Sequence, residues 1–142
     1  MLLGPVFGKV VTRFGERNTL VFEYVGLVFV FLAYGGIYFF GWGVFLAAAL
    51  YVLDHLFFSL AFALKTYFQK IADPADIAPT AAVAFTINHI AAVGLPIFLG
   101  LLWLVAPSLV FVAAAIMAMI SLGLAFLIPR APAPGCETIF SK

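Results

Sequence analysis

Four long apolar runs, at residues 20–37, 43–64, 80–105 and 109–128, restrict what this chain can fold into. A helix rises about 1.5 Å per residue and a bilayer's hydrocarbon core is about 30 Å thick, so roughly 20 apolar residues span it. Each run is near or above that length. Unpaired backbone groups are costly in hydrocarbon, so spanning segments are helices or closed barrels. Barrel strands alternate apolar and polar residues with period two, and these runs do not. The expectation is an all-α integral membrane protein with four transmembrane helices. Only 9% of the residues are charged, against about 25% in soluble domains.

The basic residues orient the chain. Lys9, Arg13 and Arg17 precede the first run, Lys65 and Lys70 follow the second, and Arg130 and Lys142 follow the fourth. The connections at 38–42 and 106–108 carry none. Threaded through a bilayer, all seven fall on one side. Cytoplasmic loops are enriched in Lys and Arg. The expected topology is therefore multi-pass in the plasma membrane, with a cytoplasmic C-terminus. A formal charge of +1 and the lack of a basic stripe give no sign of nucleic-acid binding. The single Cys136 excludes an intrachain disulfide and a cysteine-based metal cluster. Residues 1–7 are apolar but lack the basic n-region and cleavage site of a signal peptide. They read as an N-terminal helix stub, the end of a helix whose beginning is missing.

The expected spans are about 20–37, 43–69, 79–105 and 108–128, within one membrane unit over 1–130. Residues 8–18 read as a polar connection. Gly35, Gly36, Gly41 and Gly43 mark an outer turn, with Tyr34, Tyr38 and Trp42 as an interfacial aromatic belt. Lys65 and Lys70 are expected to snorkel to headgroups. Asp73 and Pro74 suit an N-cap and first helical position, and Pro79 opens the third span. Pro96 is expected to kink that span. Residues 131–142 read as a poorly ordered cytoplasmic tail.

Two polar constellations interrupt the apolar spans. Asp54 and His55 lie near the middle of the second. Ionisable groups at that depth cost about 2.5–3.5 kcal/mol on insertion scales and face a bundle interior or wet cavity. They suit a proton-coupling or substrate-contacting pair, or structural hydrogen bonding between helices. Thr86, Asn88 and His89 lie in the third span, with Thr86 and His89 on one face. They suit the same two roles, and antiparallel threading puts them at a depth where contact with Asp54 and His55 is expected. Two His and one Asp lack the ligand count and spacing of a metal site. Glu23 is expected to pair with Arg13 or Arg17, or to sit at interfacial depth. No cofactor is implied, and no nucleophile–base pair suggests an enzyme.

The stretch Gly8-Lys9-Val10-Val11-Thr12-Arg13-Phe14-Gly15-Glu16-Arg17 resembles a loop motif of the major facilitator superfamily of secondary transporters. That motif, Gly-x-x-x-Asp-Arg-x-Gly-x-Arg, joins the second and third helices, and a weaker copy joins the eighth and ninth. Gly8, Arg13, Gly15 and Arg17 match it, and Thr12 stands where the family has Asp. These glycines allow a tight turn, and the arginines can pair with carboxylates or a helix carbonyl end. The run from Lys70 to Pro79, followed by Thr86-Ile87-Asn88-His89-Ile90-Ala91-Ala92, is similar to the connection between the tenth and eleventh helices of some prokaryotic members.

The resemblance implies the C-terminal portion of such a transporter, from the end of the eighth helix through the twelfth. It further implies alternating-access movement of a small solute, with the proton as candidate coupling ion, and inactivity without the remaining helices. The second span then lines the central cavity, and the fourth is a lipid-facing support helix. The alternative is a small membrane scaffold or accessory subunit built from transporter-like helices. In either case the first partner is the lipid bilayer.

Overall fold

A computed structural model describes residues 4–141. Residues 1–3 of the expected stub, the side chains of residues 4–7, Lys142 and the Val10 and Tyr38 side chains lie outside the described residues. The described chain is helical almost throughout. Its elements are α1 (Gly4–Phe14), α2 (Glu16–Phe40), α3 (Val44–Phe58), a 3-10 turn (Ser59–Ala61), α4 (Phe62–Ile71), α5 (Pro74–Val105) and α6 (Pro107–Phe126). Among the described residues, four helical segments are long and apolar enough to cross a membrane: Glu16–Ile37, Val44–Ile71, Pro74–Val105 and Pro107–Phe126. The chain is a multi-pass helical membrane protein.

The connections are shorter than the sequence suggests. The expected polar link over 8–18 is mostly helix, with Gly15 as its break. Gly15 has φ 81° and ψ 157°, a region essentially closed to residues with a Cβ. The turn is tied on both sides. The Gly15 amide donates to the Val11 carbonyl at 2.9 Å, and the Thr19 hydroxyl donates to the Gly15 carbonyl at 2.8 Å. Gly8, by contrast, is an ordinary residue of α1. At the far end, α2 continues through Gly35 and Gly36, and Gly41 closes it in the left-handed conformation that favours glycine (φ 63°).

The second span is continuous but tightened at its centre. The Ser59 hydroxyl donates to the His55 carbonyl at 2.8 Å. Such back-bonding competes with the regular ladder and bends helices, and the 3-10 turn falls there. Asp73 caps α5 as expected, its Oδ1 accepting from the Ala75 amide at 2.9 Å, with Pro74 in the first turn. Pro79 does not open this helix but lies inside it, as does Pro96. One residue, Ala106, separates α5 from α6 and is extended, the backbone that a following proline favours.

α2 is the hub. Its buried stripe is Glu16, Thr19, Leu20, Glu23, Leu27 and Val30, spaced by three and four residues. Its most extensive packing is with α6, whose buried residues are Ala115, Ala118 and Ala125. Small side chains let helix backbones approach closely in lipid. The pair is antiparallel: the Tyr34 ring stacks on Phe111 at 5.1 Å, and Arg17 lies 6.0 Å from the Phe126 ring. The fourth span, expected to be a lipid-facing support helix, has two faces: its alanine face packs on α2, while Ile116, Met119, Ile120 and Leu124 are exposed. On the other side of α2, Phe22 meets Phe57 edge-on at 5.6 Å. A Cβ at Gly26 would overlap the Phe57 ring. α5 contains no buried residue and packs mainly on α6.

The tail is also corrected. The Ile139 amide donates to the Leu127 carbonyl at 2.9 Å, and the Tyr67 hydroxyl donates to the Glu137 carbonyl. The segment therefore folds back on the ends of α4 and α6. Hydrogen bonds from its own amide and that of Gly135 hold the Glu137 carboxyl below the usual range, opposed by desolvation and helped by the Ser141 hydroxyl. Its contribution is present above the ordinary carboxylate range and fades as pH falls through the lowered value.

The two glycines of the loop motif should respond oppositely to alanine. Gly15→Ala is expected to cost about 1–3 kcal/mol through backbone strain. Gly8→Ala is expected to be neutral or to stabilise by up to about 1 kcal/mol, since glycine is a poor helix residue. Unfolding in mixed micelles measures both, and equal effects would contradict the assigned backbone at Gly15.

Candidate functional site

The mid-span polar residues sit where the packed core stops. Asp54 is half-buried on α3, and the neighbouring His55 side chain is 58% exposed. Their closest approach is His55 Nδ1 to Asp54 Oδ2, 3.4 Å. The same nitrogen lies 3.0 Å from the Tyr51 carbonyl. A carbonyl only accepts, so Nδ1 carries the proton there and Nε2 remains the acceptor of the neutral ring. The imidazole also lies against the Tyr51 ring, at 4.2 Å.

His89 repeats this arrangement on α5. Its Nδ1 is 3.0 Å from the Phe85 carbonyl, and the two rings are 4.0 Å apart. Each mid-span histidine thus lies against an aromatic residue four positions earlier and close to that residue's carbonyl. The sequence reading singled out the histidines and missed this spacing, Tyr51 to His55 and Phe85 to His89, although it is visible in the sequence. An imidazole so placed can accept a proton or a hydrogen bond from a solute at Nε2.

The Thr86 hydroxyl donates to the Ala82 carbonyl at 3.0 Å. Asn88 lines a groove of about 590 Å³ between α4 and α5, whose other polar lining residues include Lys65, Gln69 and Thr80. Thr86, Asn88 and His89 are all exposed. The expected contact between the two constellations is absent: among the described residues, no hydrogen bond or ion pair joins Asp54 or His55 to Asn88 or His89. The reason is the placement of α5, which packs mainly on α6.

The loop motif also differs from expectation. Arg13 sits over the Phe14 ring and Arg17 beside Phe126, each at 6.0 Å, within cation–π range. Neither makes an ion pair among the described residues. The ion pair belongs to two residues not foreseen as partners. Lys70 Nζ meets Glu16 Oε1 at 2.7 Å, with Glu16 only 3% exposed. Lys70 therefore does not simply snorkel to headgroups. The bond ties the last turn of α4 to the first turn of α2, where the helix dipole also favours a carboxylate. The apolar cluster of Val11, Leu20, Ala63, Ala125 and Ile128 has partly buried Tyr67 packed against it. The basic ends of the helices thus gather at one end of the bundle.

Comparison with family models, curated proteins and solved structures finds no match to this chain.

Lys70→Met is expected to cost about 2 kcal/mol, because it leaves a buried carboxylate without its cation. The double variant Lys70→Met, Glu16→Gln should recover most of that loss. Denaturation in micelles reads the difference, and equal stability of the single variant and the unaltered protein would remove the pair's structural role.

Proposed function

We propose that this chain is the C-terminal portion of a secondary transporter of the major facilitator type, moving a small solute by alternating access with the remaining helices. The observation that carries this reading is the division between packed and open faces. α2 and α6 bury an apolar seam, while the polar residues Asp54, His55, Thr86, Asn88 and His89 lie on α3 and α5, outside it. Polar side chains at bilayer depth belong against protein or water. Two helices with such faces suit the lining of a cavity completed by further spans. Secondary transporters place solute and ion sites near the midplane, between moving bundles. In this reading Asp54 is the proton carrier, and His55 and His89 offer acceptor nitrogens to proton or solute. The sequence resemblance supports the family.

The open face of α5 also favours a second reading, in which the chain is an accessory subunit docked on another membrane protein. A denaturing gel of source-cell membranes, probed with an antibody to residues 135–142, separates the two. The transporter reading expects a band about three times the mass of this chain, because a twelve-helix bundle holds three times its four spans. A band at the chain's own mass contradicts it and favours the subunit. In the larger protein, Asp54→Asn should depress proton-gradient-driven uptake far more than membrane abundance. Unchanged uptake would remove the carboxylate's role.

A further inference from the structure

Glu23 takes no part in the proposed site, yet it is among the most deeply buried side chains of the chain, at 2% exposure. It lies on the stripe of α2 that runs between α3–α4 on one side and α6 on the other, one turn beyond Leu20. The register fixed by Arg17 with Phe126 and Tyr34 with Phe111 puts it about level with Ser121 on α6. Its Oε2 is sealed from solvent and meets no hydrogen-bond partner. The arginines expected to pair with it are engaged elsewhere, over the Phe14 and Phe126 rings.

Among the described residues, no hydrogen bond or ion pair brings another cation from the surrounding elements to Glu23. α6 and the 3-10 turn carry no titratable side chain. On α4, Lys70 is bound to Glu16, Lys65 is exposed, and Tyr67 donates to the tail. On α1, Lys9 and Arg13 are exposed. On α3, His55 contacts Asp54 and Tyr51. On α2 itself, Tyr24 packs against the apolar cluster and Glu16 is already paired. An ionised carboxylate without water or cation in such a place is costly, and the neutral acid is far less so.

We propose that Glu23 is a proton-binding site: its carboxyl holds a proton while α2, α4 and α6 are packed, and releases it when the seam parts and admits water. The step is R–COOH to R–COO⁻ plus H⁺, with the proton passing to the entering water. Proton occupancy and helix packing are then linked, each favouring the other. The inference rests on the packing around α2 and stands apart from the transport reading.

Infrared difference spectroscopy of the purified native protein in lipid tests it, as unaltered protein minus Glu23→Gln at neutral pH. The expected result is the carbonyl stretch of a protonated carboxylic acid, lost in the variant and slow to shift in deuterated buffer. Glu23→Asp, which keeps a carboxyl, should keep a displaced form of the band. If Glu23→Gln does not fold, the difference between the unaltered protein and Glu23→Asp decides by the same band. A pair of carboxylate stretches in its place at neutral pH, or a band that exchanges at once with solvent, would overturn the proposal.

Discussion

Close approach of α2 and α6 is the contact on which the other elements of this chain depend. Lipid tails are as apolar as leucine, so no hydrophobic drive brings two such helices together. They associate when their surfaces fit. α6 supplies Ala115, Ala118 and Ala125 as a shallow face, and α2 lays Leu20, Leu27 and Val30 along the buried stripe. α3 and α4 then cover the opposite flank of α2, with the Phe57 ring filling the space that Gly26 leaves open. α5 follows α6 through a one-residue turn and gains little packing of its own.

The end of the bundle that gathers the basic residues is built differently. There the cluster around Leu20 and Ala63 is reinforced by polar bonds: Lys70 to Glu16, Tyr67 to the Glu137 carbonyl, and Thr19 to the Gly15 carbonyl. These bonds join α4 to α2, α4 to the tail and the first turn of α2 to the Gly15 break, beside the apolar cluster that α1, α2, α4 and α6 share. Glu23 lies just inside this polar end, where apolar packing excludes water without supplying a cation.

The spans were legible because bilayer thickness dictates run length, and caps such as Asp73 with Pro74 because they act within one turn. Connection lengths were not. Gly8 and Gly15 look alike in sequence, but only Gly15 takes a backbone that requires glycine. The role of α6 was hidden because an alanine-rich apolar helix reads the same whether it faces lipid or a partner. The pairing of Glu16 with Lys70 depends on a contact between residues far apart in the chain, which no local pattern encodes. Asp54, His55, Asn88 and His89 were visible as polar residues at depth. That α5 packs mainly on α6 is a matter of helix arrangement, and helix arrangement is set by side-chain fit over whole faces.

The central claim is that the polar faces of α3 and α5 meet protein or water in the native membrane, and not lipid. Spin labels at single cysteines replacing His55 and His89, in a Cys136→Ser background, measure this directly by comparing collision with oxygen and with a water-soluble nickel chelate. Met119, exposed on α6, supplies the lipid-facing reference. The account predicts that positions 55 and 89 favour the chelate, or are shielded from both reagents, while position 119 favours oxygen. Oxygen accessibility at 55 and 89 equal to that at 119 would contradict it.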